Sequence, residues 1–114
     1  MTSALAGYQK KYLKSQAHDL KPVVFIGQKG LTAMLLKAVR EALQGHELIK
    51  VKFIEFKEKD QKKGFCQQIE EKADCALVGL IGHMAMFYRP QSDPAKRKIR
   101  LPLRDMKSSS AQPD

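Results

Sequence analysis

Gly27-Gln28-Lys29-Gly30 is the segment of this 114-residue chain best suited to hold a ligand. Four apolar residues, Val23-Val24-Phe25-Ile26, run into it, and an amphipathic pattern begins at Leu31-Thr32. That order reads as a strand, a tight turn and a helix N-terminus. Glycines let the backbone approach a ligand closely. The first turn of a helix has unpaired N–H groups and partial positive charge, so the junction favours an anion. Lys29 adds a full charge. The spacing is not that of a mononucleotide loop, which is longer and ends in Gly-Lys-Ser/Thr. Nor is it a dinucleotide fingerprint, which needs a third glycine and a downstream acid. The expected chemistry is a grip on a phosphate backbone. The competing reading is a turn that needs glycine for backbone reasons alone.

Other chemistry-bearing residues are poorly placed for catalysis. His18, His46 and His83 fall at a loop, a helix exit and a hairpin turn, with no serine or cysteine beside them in a nucleophile context. Cys66 and Cys75 match no zinc spacing and suggest no disulfide framework. Glu70, Glu71 and Asp74 read as a solvated helix face. No catalytic residue, metal or cofactor is expected. A nuclease built from dispersed acids is the enzymatic alternative, and nothing in the sequence favours it.

The elements that must position the loop follow from periodicity. Residues 3–17 read as a helix capped by Thr2 or Ser3, with Leu5, Tyr8, Tyr12, Leu13 and Ala17 inward and Lys10, Lys11 and Lys14 on the polar side. Pro22 turns Lys21 toward extended geometry. Val23 to Ile26, apolar on both faces, reads as a central or well-protected strand. A second helix runs from Leu31 or Thr32 to Gln44, with Gly45 as its C-cap. Its expected buried stripe is Leu31, Met34 or Leu35, Ala38, Val39, Ala42 and Leu43. Lys37 and Arg40 share its polar side, and Lys37 could reach a second phosphate. Leu48 to Phe56 reads as a strand whose alternation breaks at Ile54 and Phe56, implying a bulge or an end there. Residues 57–63 read as a solvated connection into a helix over about 60–73, with Phe65, Ile69 and Ala73 inward. Gly82-His83 between Ala76–Ile81 and Met84–Arg89 predicts a hairpin with a type II′ turn. Residues 104–114 are expected to be a disordered tail.

The charge is distributed unevenly. The chain carries 21 Lys+Arg against 12 Asp+Glu, a net +9. Residues 1–40 hold seven basic residues and one acid, Asp19; residues 41–88 hold seven and eight; residues 89–107 hold seven and two. Two positive ends around a neutral middle suggest a polyanionic partner, against the plainer reading of a solvated basic surface. No apolar run is long enough for a membrane span, and the first residues lack a signal-peptide pattern. A cytoplasmic protein, a monomer with no membrane role, is expected.

Four segments carry a family resemblance: His18-Asp19-Leu20-Lys21-Pro22-Val23-Val24, Gly27-Gln28-Lys29-Gly30-Leu31-Thr32, His46-Glu47-Leu48-Ile49-Lys50-Val51-Lys52-Phe53, and Ile81-Gly82-His83 with Tyr88-Arg89-Pro90. Together they resemble the CRM domain of chloroplast RNA splicing and ribosome maturation proteins, nearest its single-domain bacterial YhbY type. The likeness spans about residues 3–103. It implies an α/β domain, α-β-α-β-α-β-β with a four-stranded mixed sheet and the GxxG loop between the first strand and second helix. It further implies RNA binding without a cofactor, and action on ribosomal RNA in large-subunit precursors. This chain departs from the family's usual pattern at Lys29, where Asn is common, and at His83, where Lys or Arg is common. The RNA contacts expected are Gly27, Gln28, Lys29, Gly30, Thr32, Lys37 and Arg40, extended by Lys10, Lys11, Lys14 and Lys21. Arg89, Arg97, Lys98 and Arg100 would form a second patch. The alternatives are a module that docks acidic proteins and a splicing-type RNA-binding factor.

Overall fold

The alternation of Ile49, Val51 and Phe53 with Lys50 and Lys52 makes the strand Leu48–Phe53 a divider with two different faces. In the computed structural model, which describes residues 5–56 and 58–102, the elements follow the expected order. They are α1 (Gly7–Ala17), β1 (Val24–Ile26), α2 (Ala33–His46), β2 (Leu48–Phe53), α3 (Lys59–Ala73), β3 (Ala76–Ile81) and β4 (Met84–Tyr88). A short 3-10 turn, Pro94–Lys96, follows. The strands form one mixed sheet ordered β1-β2-β4-β3. β1 runs parallel to β2, while the β2–β4 and β4–β3 pairs are antiparallel.

On one face, Val24, Ile26, Ile49, Val51, Phe53, Ala85 and Phe87 pack against Leu36, Val39 and Leu43 of α2 and Cys66, Ile69 and Ala73 of α3. On the other, Leu13 and Ala17 of α1 cover Leu48, Val78, Met86 and Tyr88. The central strand β4 is therefore apolar at every position. A register shift between Leu77 and Gly79 leaves Val78 as a bulge on the α1 side. Gly82 has φ 59 and His83 is not among the residues of positive φ, the signature of the expected type II′ turn.

Several expectations need correction. β1 is an edge strand, not a central one: Val24 and Ile26 are buried, but Val23 and Phe25 are 48% and 52% exposed. An apolar run signals two-sided burial only when both faces have a partner, and α1 does not reach this strand's outer face. In α2, Leu36 is buried, Met34 is 80% exposed and Ala38 is exposed, so the stripe lies one residue off at its start. The helix runs through Gly45, and its cap is Glu47 at φ 57. β2 stops at Phe53, and Phe56 turns the chain at φ 61. Lys62 is buried, not solvated: its amine donates to the Gly82 carbonyl at 2.6 Å and to His83 Nδ1 at 3.3 Å. α1 begins at Gly7, where the Ala6 N–H donates to Gln9 Oε1. Thr2 and Ser3, expected caps, lie outside the described residues, as do residues 104–114, the expected tail.

Both cysteines are free and buried. Burial pushes the Cys66 thiol up to about 11 and the Cys75 thiol to about 12, with the Glu70 carboxylate adding to each. Raised thiols stabilise the fold fully below their ordinary value near pH 9, and this contribution is lost as pH rises through 11 and 12. Two outcomes are expected. Native protein at pH 8 should react with a thiol reagent only as fast as it unfolds. A Cys66→Ala/Cys75→Ala variant should lose less stability than the parent between pH 9 and pH 11, measured by denaturant titration at each pH.

Candidate nucleic-acid interface

β1 delivers the chain to the end of the sheet, and the turn at Gly27–Gly30 closes with a Gly30 N–H to Gly27 carbonyl bond of 3.0 Å. The two glycines have different functions. Gly30 is buried at φ 68, and an added Cβ would stand 3.4 Å from the Phe65 ring. Phe65 in turn meets Phe56 edge-on, with centroids 4.8 Å apart. Gly30 therefore seats the turn on an aromatic pair, as the backbone-only reading required. Gly27 has open space where a side chain would project. Gln28 and Lys29 are exposed between them. The loop's outward surface is thus Gly27, Gln28 and Lys29.

Thr32 caps α2, its Oγ1 accepting the Leu35 N–H at 3.1 Å. The hydroxyl is occupied by that bond, and by helix geometry the amides just after the cap lack intrahelical partners. Lys37 is exposed about one turn into the helix. Among the described residues, Lys10, Lys11, Lys14, Lys21, Lys29 and Lys37 make no hydrogen bond or ion pair, so their charges are available. Arg40 is differently employed: its Nε and one terminal nitrogen donate to the Lys72 carbonyl at 3.1 and 2.9 Å. Arg89 donates to the Ala73 carbonyl at 3.2 Å. Both arginines thus complete the C-terminus of α3, where cations complement the helix dipole.

The second group of cations sits elsewhere. Gly27 follows the end of β1 that pairs with Phe53, whereas Arg89 follows Tyr88, which pairs with Leu48 at the other end of β2. The two regions are therefore about 17 Å apart along the strand. At that far end Glu47 is fully buried and organises the segment after β4. Its Oε1 accepts the N–H groups of Lys98 and Ile99 at 2.7 and 3.0 Å, and Oε2 accepts that of Gln91 at 2.9 Å. Burial, followed by the nearby Glu47 carboxylate, raises the Tyr88 hydroxyl, and Arg97 opposes that. Arg97 Nε donates to the Gln91 carbonyl, while Lys98 and Arg100 are exposed.

The profile of the CRS1 / YhbY (CRM) domain matches residues 5–89. The chain belongs to that family. Two CRM relatives illustrate the match. An RNA-binding protein of Haemophilus influenzae is 39% identical over 100 residues, 88% of this chain and 97% of that one. PA4753 of Pseudomonas aeruginosa, named a probable RNA-binding protein, is 40% identical over 93 residues, 82% of this chain and 88% of that one. Among solved structures, the solution structure of SAV1595 from Staphylococcus aureus superposes with a TM-score of 0.74 at 35% identity, covering 86% of this chain and 99% of that one. The names of the two relatives describe RNA binding. Among the described residues of this CRM domain there is no group of three or more His, Cys, Asp or Glu that could hold a metal. No helix among them is long and apolar enough to cross a membrane.

The residues that sequence reading missed are those whose role is tertiary. Lys62 falls in the stretch expected to be solvated, and nothing local to Glu47 signals that it is buried. Lys50 and Lys52 alternate with the buried side of β2, and Lys50 donates to the His18 carbonyl at 3.2 Å, tying β2 to the end of α1. The one available signal was the period-2 pattern, which places both lysines on the face that α1 only partly covers.

Proposed function

We propose that this CRM domain binds RNA without catalysis, gripping the backbone at Gly27, Gln28 and Lys29 with Lys37 behind them. Its proposed place of action is ribosomal RNA in large-subunit precursors. The observation that carries the reading is the loop itself: an open glycine and an unpaired lysine at the start of a capped helix. The relatives' names favour RNA over DNA, and charge alone would not choose. The grip is of the kind KH domains use, where a GXXG loop clamps backbone nucleotides.

The loop and the lysines of α1 together would neutralise about five phosphates. For single-stranded RNA this gives a slope of about −3.5 in log affinity against log salt, at roughly −0.7 per phosphate. Binding that ignores salt would end the electrostatic account. Crosslinking in cells followed by sequencing of the bound RNA tests the target. Large-subunit ribosomal RNA should dominate the reads, and a transcriptome-wide spread without it would refute that assignment.

A further inference from the structure

Strand pairing places Phe25, Lys52, Met84 and Ile81 in one row across all four strands, on the face that α1 covers only in part. Phe25 is 52% and Ile81 60% exposed, and Lys52 and Met84 are half-buried between them. The adjoining row is Val23, Lys50, Met86 and Gly79. Gly79 has no side chain, and Lys14 of α1 occupies the space: an added Cβ would stand 2.6 Å from Lys14 Cε. The ionisable side chains on these two rows and over them are thus Lys14, Lys50 and Lys52. The nearest acids in sequence are Asp19 and Glu55, in flanking loops, and Glu47, whose buried carboxylate is engaged by the N–H groups of Gln91, Lys98 and Ile99. Phe25 also stands two residues before Gly27, about 7 Å by strand geometry.

An exposed aromatic ring on a sheet edge, with Lys52 directly beside it, Lys50 in the next row and a backbone-gripping loop two residues on, matches the needs of an unstacked base. Its faces stack on the ring, and its phosphates meet the surrounding charge. We propose that Phe25 is a base-stacking platform, taking a base of the single-stranded RNA whose backbone is held at Gly27–Lys29. Lys52, its register partner, and Lys14, lying across Gly79, face the flanking phosphates. The inference rests on the RNA-binding reading above and adds a second mode of contact to it.

The chain contains no tryptophan, so Phe25→Trp installs a single reporter. The probe is a 12-nucleotide single-stranded RNA of mixed sequence, with an abasic ribose-phosphate strand of equal length as the comparison. Parent protein should bind the RNA with the salt dependence given above. Phe25→Leu keeps the apolar bulk and removes the ring, so it should fold normally by circular dichroism. It should weaken RNA binding about 5- to 150-fold with the salt slope unchanged. Its binding to the abasic strand should equal the parent's. Phe25→Trp should retain affinity, and its emission should be quenched by the RNA but not by the abasic strand. Phe25→Leu binding RNA as tightly as the parent would overturn the platform and leave the backbone grip standing. Parent protein that does not bind RNA at all would instead overturn the RNA reading. Polyglutamate displacing the RNA with the same dependence on Phe25 would reassign the face to an acidic polypeptide.

Discussion

Replacing Glu47 with alanine should lower stability by about 3–4 kcal/mol, the largest loss expected from a single side chain outside the apolar core. The carboxylate is fully buried and accepts three backbone N–H groups, from Gln91, Lys98 and Ile99. Each such charge-assisted bond contributes about 1.5–3 kcal/mol, but they are not additive, and the freed donors regain water as the segment loosens. Residue 47 also sits at φ 57 and ψ −43, a conformation costly for any side chain. Glycine relieves that cost, so Glu47→Gly should be more stable than Glu47→Ala by about 1 kcal/mol despite having no side chain. Glu47→Gln separates the two oxygens. An amide can still accept from Lys98 and Ile99, but its NH2 would then face the Gln91 N–H, so intermediate stability is expected. Urea titration of the three variants gives the order Gln above Gly above Ala. Equal stabilities would show that the carboxylate does not hold this segment. A drop of 3–4 kcal/mol corresponds to a melting point lower by on the order of 10–20 °C.

The second large effect distinguishes the loop's glycines. Gly30→Asp should destabilise the fold by about 3 kcal/mol, since it combines positive φ with a carboxylate buried against aromatic rings. Gly27→Asp should leave the melting point nearly unchanged, because open space meets its side chain. Combined with Lys29→Glu, it should reduce affinity for single-stranded RNA by more than tenfold at 0.1 M salt. Removing one phosphate contact accounts for roughly fivefold, and the reversed charges repel the backbone further. A variant that replaces both glycines would confound these effects, because loss of binding could then follow from loss of fold. If Gly27→Asp/Lys29→Glu folds and binds RNA like the parent, the loop does not grip the backbone.

The element order and the position of the loop were legible from local chemistry: Pro22, the glycines and the period-2 run Ile49, Val51, Phe53 each act within a few residues. The placement of β1 was not, because Val23-Val24-Phe25-Ile26 has the same apolar pattern in a covered strand as in an edge strand. The roles of Glu47 and Lys62 depend on partners 44 and 20 residues away, Gln91 and Gly82. Spacing along the chain carries no trace of such pairs. The same holds for Arg40, whose position on the polar side of α2 was clear but whose bonds to Lys72 were not. What remained readable about the candidate site was its charge. Which charges are free and which are structural is a property of the folded chain.

The clamp on Glu47 has a consequence for how the chain is made. During synthesis the domain emerges from the N-terminus, and sheet pairing from β1 to β4 is complete once Tyr88 is available. The donors that satisfy the Glu47 carboxylate, from Gln91, Lys98 and Ile99, emerge only after the last strand of the sheet. Until then the nascent domain must leave that carboxylate in water, with the bottom of the sheet unsealed. Folding on the ribosome should therefore finish in a discrete late step, timed by the arrival of Ile99.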